Sequence, residues 1–155
     1  MTDRHGGELS APACLHALHP HNYGPPRRWD GHARITGPCG DTMEFWIETR
    51  GDSDAIQRIS FVTDGCAPSL ASGSMAGTLA EDGSLTDAMT LRQADILAAL
   101  DGLPRGSEHC ALLAADTLRA ACRDCLQARD ETAAPTAGSD TDQTDKHTII
   151  GEAGR

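Results

Sequence analysis

The chain is poor in several things, and each shortage removes a class of function. Lysine occurs once, as Lys146, and the arginines are scattered. Thirteen basic residues face twenty-three acidic ones, for a net charge of −10. Nucleic-acid binding calls for a basic stripe along the phosphates, and this sequence has none. Apolar runs are short: none approaches the ~20 residues of a membrane-spanning helix. No positively flanked apolar segment at the N-terminus directs export, so the cytoplasm is the expected compartment. Aromatics are limited to Tyr23, Trp29, Phe45, Trp46 and Phe61. A core must therefore be built from Ala, Leu, Ile, Val and Met. With 39% hydrophobic residues and sixteen glycines in 155 positions, the composition is that of one ordinary globular domain.

Cysteine, by contrast, is present six times, as Cys14, Cys39, Cys66, Cys110, Cys122 and Cys125. In a chain expected in a reducing compartment these are thiols. Metal binding or catalysis is then a better account than a disulfide framework.

Hydrophobic patterning organises the chain. Residues 1–13 are polar, contain Gly and Pro, and predict a flexible N-terminus. Residues 14–19 suit a short helix stopped by Pro20, and 20–28 are a turn-rich connector. Three strands follow, over 29–36, 42–49 and 55–63. In the second, Met43, Phe45 and Ile47 alternate with Thr42, Glu44, Trp46 and Glu48, the period of a half-buried strand. Arg50–Asp54 is a hairpin loop. The second half predicts helices over 68–80, 91–100 and from after Ser107 to about Arg129. Helix 68–80 is largely Ser, Ala and Gly, which lets its backbone approach a neighbour closely. In the last helix Cys110, Leu113, Ala114, Thr117, Leu118, Ala121 and Cys125 share one stripe. One apolar sheet face needs a cover, which the helices supply. The folded domain is expected over 14–129, and 130–155 has the composition of a disordered acidic tail.

Three short segments can carry chemistry. Gly37-Pro38-Cys39-Gly40-Asp41 lies between two strands, so a thiol and a carboxylate share a Gly-bounded turn. That suggests a metal, and a turn with a chance cysteine accounts for the segment equally well. Gly65-Cys66-Ala67-Pro68-Ser69 places Cys66 between a strand and a helix. Unpaired amides and the positive end of the helix dipole there favour thiolate. The alternative for Cys66 is a small buried hydrophobe. His109-Cys110 falls in the first turn of the last helix, where Cys110 has the same electrostatic advantage. Three thiols at element ends, with Asp41 or His109 as a fourth ligand, compose a four-ligand site suited to zinc or iron–sulfur chemistry. Their wide spacing means that the fold must assemble it. Cys122-x-x-Cys125 sits mid-helix with Cys125 central in the apolar stripe, where packing outweighs a redox pair.

GPCGD at 37–41, GCAPS at 65–69 and HC at 109–110, in this order, resemble the IscU/NifU-type iron–sulfur cluster assembly scaffold family. HPHNYG at 19–24 is similar to that family's N-terminal segment, and the resemblance covers about residues 15–127. It implies an α+β fold with a three-stranded antiparallel sheet packed against helices, IscU/SufE-like. It implies Cys39, Cys66 and Cys110 as cluster ligands and Asp41 as the acidic residue that keeps the cluster transferable. His109 is a candidate fourth ligand, and Cys110 the acceptor of persulfide sulfur. The implied cargo is a transient 2Fe–2S cluster, with iron delivered to the site and zinc an alternative occupant. The implied partners are a cysteine desulfurase and the apo iron–sulfur proteins or carriers that receive the cluster. A scaffold or carrier is implied, and not an enzyme in the turnover sense.

The sequence departs from the family in places. Members served by a dedicated heat-shock chaperone carry LPPVK just before the HC pair. Here Leu103-Pro104-Arg105-Gly106-Ser107 stands there, so that chaperone is not an expected partner. Ser107 occupies the family's lysine position, and Arg105 is the nearest source of positive charge. The further cluster domains of NifU are not expected, nor is the long insertion of the zinc-dependent SufU branch. Two competing readings are a SufU-like zinc-dependent sulfur acceptor and a structural zinc domain.

Overall fold

A computed structural model describes residues 7–133 of the chain. Its elements run α1 (Ala11–Leu18), β1 (Gly31–Thr36), β2 (Thr42–Thr49), β3 (Ile56–Thr63), α2 (Ala67–Ala80), α3 (Leu85–Ala88), α4 (Gln93–Ala99), a 3-10 turn (Arg105–Ser107) and α5 (Glu108–Ala133). The fold is α+β. The three strands form one antiparallel sheet in the order β1-β2-β3, with helices covering one face.

Side-chain alternation on β2 decides which face is covered. Met43, Phe45 and Ile47 are fully buried and lie across from Ile35, Ala33 and Gly31 of β1 and Thr63, Phe61 and Ile59 of β3. Phe45 and Phe61 stack with ring centroids 5.6 Å apart. The opposite face carries Glu44, Trp46 and Glu48. There His32 stacks on Trp46, and Glu48 pairs with Arg28 and Arg58.

Small residues set how closely the helices approach. α5 lies against β1 and β2, and α2 against β3. A Cβ on Gly73 of α2 would stand 2.4 Å from the Phe61 ring, so the close approach expected of this Ser/Ala/Gly helix is present. The stripe expected on the last helix is buried from Cys110 through Leu118 and Ala121 to Cys125, and Cys122 joins it. The buried Thr117 hydroxyl is satisfied by the Leu113 carbonyl at 2.7 Å. Both Cys122 and Cys125 are packing residues, with Cys125 Sγ 4.0 Å from the Ile47 carbonyl oxygen.

Several boundaries differ from the sequence reading. α1 starts at Ala11, because the Ser10 hydroxyl accepts the Ala13 amide as an N-cap and donates to the Leu100 carbonyl. Leu9 is buried in the core, so residues 9–13 are held and not loose; residues 1–6 lie outside the described residues. β1 begins at Gly31 because Asp30 turns its carboxylate to the Thr49 amide. Arg92 precedes α4, where its amide donates to Asp95, and α3, capped by Ser84, had no counterpart in the sequence reading. α5 extends to Ala133, beyond Arg129, and the expected tail from 134 on lies outside the described residues. The 19–24 segment runs along the free edge of β3, with Asn22 and Gly24 bonded to the Phe61 backbone. That pairing blunts an exposed strand edge.

Gly31 is the tightest contact between α5 and the sheet. A Cβ there would meet Cys125 Sγ at 2.3 Å, the Ala121 carbonyl at 2.6 Å and the Cys125 amide at 2.7 Å. Two of those atoms are backbone and cannot swing aside. Gly31→Ala is expected to cost about 2–3 kcal/mol of stability, read from the urea midpoint.

Candidate metal and sulfur-handling site

Three element ends meet at one edge of the domain. The β1–β2 turn closes through the Gly37 amide on the Asp41 carbonyl at 2.8 Å and the Gly40 amide on the Gly37 carbonyl at 3.0 Å. Gly40 takes a φ of +95°, which a side chain would strain, and this kink throws Cys39 out to solvent while Asp41 turns in. Cys66 is the N-cap of α2, followed by Pro68 in the first turn. Cys110 is the third residue of α5, 2% exposed, with His109 Nε2 3.8 Å from its sulfur.

These ends enclose a pocket of about 310 Å³ lined by Cys39, Asp41, Cys66, Gly106, Ser107, His109 and Cys110. All five residues singled out from the sequence as metal or sulfur ligands therefore line one pocket. They do not yet converge. Among the described residues, no three His, Cys, Asp or Glu side chains stand close enough to hold a metal ion as placed. The donor set of three thiols, one carboxylate and one imidazole nevertheless suits zinc or iron.

The electrostatics at Cys110 differ from the helix-terminus expectation. Burial pushes its thiol up to about 11, and the nearby Cys66, Asp41 and Cys39 add to the rise, while the Ser69 hydroxyl opposes it. Desolvation of the charged form outweighs the helix dipole here. Burial therefore favours the protonated Cys110 thiol, against the thiolate expected from its place near a helix start.

The structure adds residues that the sequence reading passed over. Ser69, fully buried, places its hydroxyl 3.1 Å from Asp41 Oδ2 and 3.4 Å from Cys110 Sγ. Gly65 makes room for both: a Cβ there would stand 2.4 Å from Ser69 Oγ and 2.7 Å from Asp41 Oδ2. The signal was in GCAPS, whose serine recurs one turn into the helix after the cysteine. Ser107 lines the pocket and is buried, whereas Arg105 is exposed and is not among the lining residues. Cys14 lies on α1, away from the pocket lining. A larger depression of about 440 Å³ lies at the far end of the sheet, beside Asp30, Thr49, Cys125 and Arg129. Two of its charged groups are already engaged, Asp30 with Thr49 and Arg129 with Asp54.

Known proteins share this chain's sequence pattern and fold. The model of the NifU-like N terminal domain matches residues 12–132. Iron-sulfur cluster assembly scaffold protein IscU 1 of Archaeoglobus fulgidus is 36% identical over 110 residues, 70% of this chain and 71% of that protein. The IscU scaffold protein of Aquifex aeolicus is 34% identical over 112 residues, 72% of this chain and 71% of that protein. Among solved structures, a nitrogen-fixing NifU-like protein (N-terminal) from Brucella abortus superposes with a TM-score of 0.57 at 18% identity. The match covers 80% of this chain and 95% of that one, and shows the shared fold.

Two measurements check the thiols. At pH 8, iodoacetamide should modify Cys39 and Cys66 at least about tenfold faster than Cys110, Cys122 or Cys125, as read by mass spectrometry of the native protein. Burial also pushes Cys122 and Cys125 up to about 12, from an ordinary value of 9.0. The unfolded chain ionises near 9 while the folded one stays protonated, so stability is full below pH 9 and is lost as pH rises toward 12. Replacing both residues with alanine should flatten that alkaline decline, at some cost in stability at neutral pH.

Proposed function

The chain belongs to the NifU-like N-terminal domain family, and from that membership we propose that it is a scaffold on which a transient 2Fe–2S cluster is assembled and then passed on. The observation that carries this reading is the single pocket lined by Cys39, Asp41, Cys66, His109 and Cys110, drawn from three separate elements. A scaffold must hold its cargo and also release it. Three thiol ligands with an oxygen or imidazole in the fourth position meet both needs, because a hard carboxylate binds iron less tightly than thiolate does. The exposed Cys39 turn is the side from which cargo enters and leaves.

The proposed ligands are Cys39, Cys66 and Cys110, with Asp41 or His109 completing the set. Sulfur comes as a persulfide from a cysteine desulfurase, and Cys110 is the acceptor we assign. Cys110, losing its proton, attacks the outer sulfur of the desulfurase persulfide; that S–S bond breaks, the desulfurase cysteine leaves as thiolate, and Cys110 carries the persulfide, with His109 Nε2 standing 3.8 Å from its sulfur. The recipients are apo iron–sulfur proteins or carriers. Iron and sulfide are cargo in this scheme, and the protein acts as a carrier with sulfur-acceptor chemistry rather than as an enzyme with turnover.

Anaerobic reconstitution with iron, cysteine and a cysteine desulfurase, followed by visible absorption, tests this function. A cluster spectrum is expected, lost in Cys39→Ser, Cys66→Ser and Cys110→Ser, retained in the Cys122→Ser/Cys125→Ser double variant, and transferable to an apo-ferredoxin. Asp41→Ala should slow that transfer about tenfold or more while the cluster persists longer. Unchanged assembly and lifetime in Asp41→Ala would sink the exchangeable-ligand part of the scheme. Failure to form any cluster, with tight zinc binding and faster desulfurase turnover, would instead make the protein a zinc-dependent sulfur acceptor.

A further inference from the structure

We propose that Ser69 is a positioning residue that holds Asp41 in place as a metal ligand and ties its carboxylate to Cys110 across the pocket floor. This rests on the reading of the pocket as a metal and cluster site. Ser69 is on the first turn of α2, and its amide is bonded to the Cys66 carbonyl at 2.9 Å, so its backbone is fixed relative to a proposed ligand. Its hydroxyl is fully buried, 3.1 Å from Asp41 Oδ2 and 3.4 Å from Cys110 Sγ. Two of the proposed ligands are thus referred to the Ser69 side chain, and a third, Cys66, to its backbone amide.

A hydroxyl carries one hydrogen and two lone pairs. The Asp41 carboxylate and the Cys110 sulfur are both placed to accept that hydrogen, and the carboxylate is the stronger acceptor. The bond to Oδ2 fixes how the Asp41 carboxylate is turned in the pocket. Hydrogen bonds of this kind to a ligating carboxylate fix its orientation and raise metal affinity. Gly65 shows that the arrangement is built to be tight. Any side chain at that position would collide with both Ser69 Oγ and Asp41 Oδ2. Alanine at 69 would leave Asp41 without this partner and remove the link to Cys110, while the three thiols stayed in place.

Zinc alone is the probe, in competition with a chromophoric chelator on the full chain stripped of metal. Ser69→Ala should bind zinc about 10–100-fold more weakly than the wild type, and Ser69→Thr, which keeps the hydroxyl, should recover most of that loss. In an Asp41→Ala background the same change should cost about threefold or less, because the partner through which Ser69 acts is already gone. A purely structural role would give the same loss in both backgrounds, and that result overturns the assignment. So does wild-type affinity in folded Ser69→Ala. Should Ser69→Ala fail to fold by circular dichroism, Gly65→Ala decides. Its Cβ would push Ser69 and Asp41 aside without removing either, so weakened zinc binding supports the proposal and unchanged binding ends it. Wild-type protein that takes up neither zinc nor a cluster would overturn the scaffold reading and this proposal together. A wild type that does both, beside a Ser69→Ala that matches it, would overturn only the role of Ser69.

Discussion

Everything at the pocket depends on how closely α5 lies on the sheet. The closest approach at Gly31 is made by residues with little or no side chain: Gly31 on the strand, and Ala121 and Cys125 on the helix. Sequence supplies the small residues, and burial of the stripe that begins at Cys110 supplies the driving force. With the helix axis fixed at that distance, Cys110 at its start falls beside the β1–β2 turn that bears Asp41 and beside the N-terminus of α2. The site is therefore a by-product of packing, and its ligands need no local loop to gather them.

Much of this was legible from residues alone. The alternation over Met43, Phe45 and Ile47 identified β2 to the residue, since a sheet with one covered face leaves a period-two record. GPCGD, GCAPS and HC named five of the side chains that line the pocket, and Ser107 is the sixth. What sequence could not show was depth. A cysteine near a helix start has the same neighbours in sequence whether it faces water or core, and Cys110 faces the core. Burial then raises its thiol, where the dipole alone would lower it. Ser69 was passed over for a related reason. A serine in a run of Ser, Ala and Gly reads as helix packing until a carboxylate from a turn 28 residues earlier is found beside it. Element ends were displaced by capping and side-chain bonds, as at Ser10, Asp30 and Arg92, which periodicity does not register.

The three thiols are graded from outside to inside. Cys39 is exposed on a turn kinked at Gly40, Cys66 is half-buried at a helix cap, and Cys110 is closed over by the core. A site of equivalent ligands would bind and release as a unit. Graded thiols differ in access: a reagent or partner in solution meets Cys39 first and Cys110 last. Asp41 stands between these extremes, buried but facing a turn that has room to move.

One consequence concerns folding equilibrium. The helix that carries Cys110 also closes the hydrophobic core, so local loosening of its first turn and occupancy of the pocket draw on the same free energy. By mass action, any ligand that grips Cys110 favours the conformations in which that turn is closed. A recipient that takes the ligand away leaves a turn with a lower barrier to opening. The apoprotein is then the more easily opened state, and amide exchange at the start of α5 becomes a gauge of what the pocket holds.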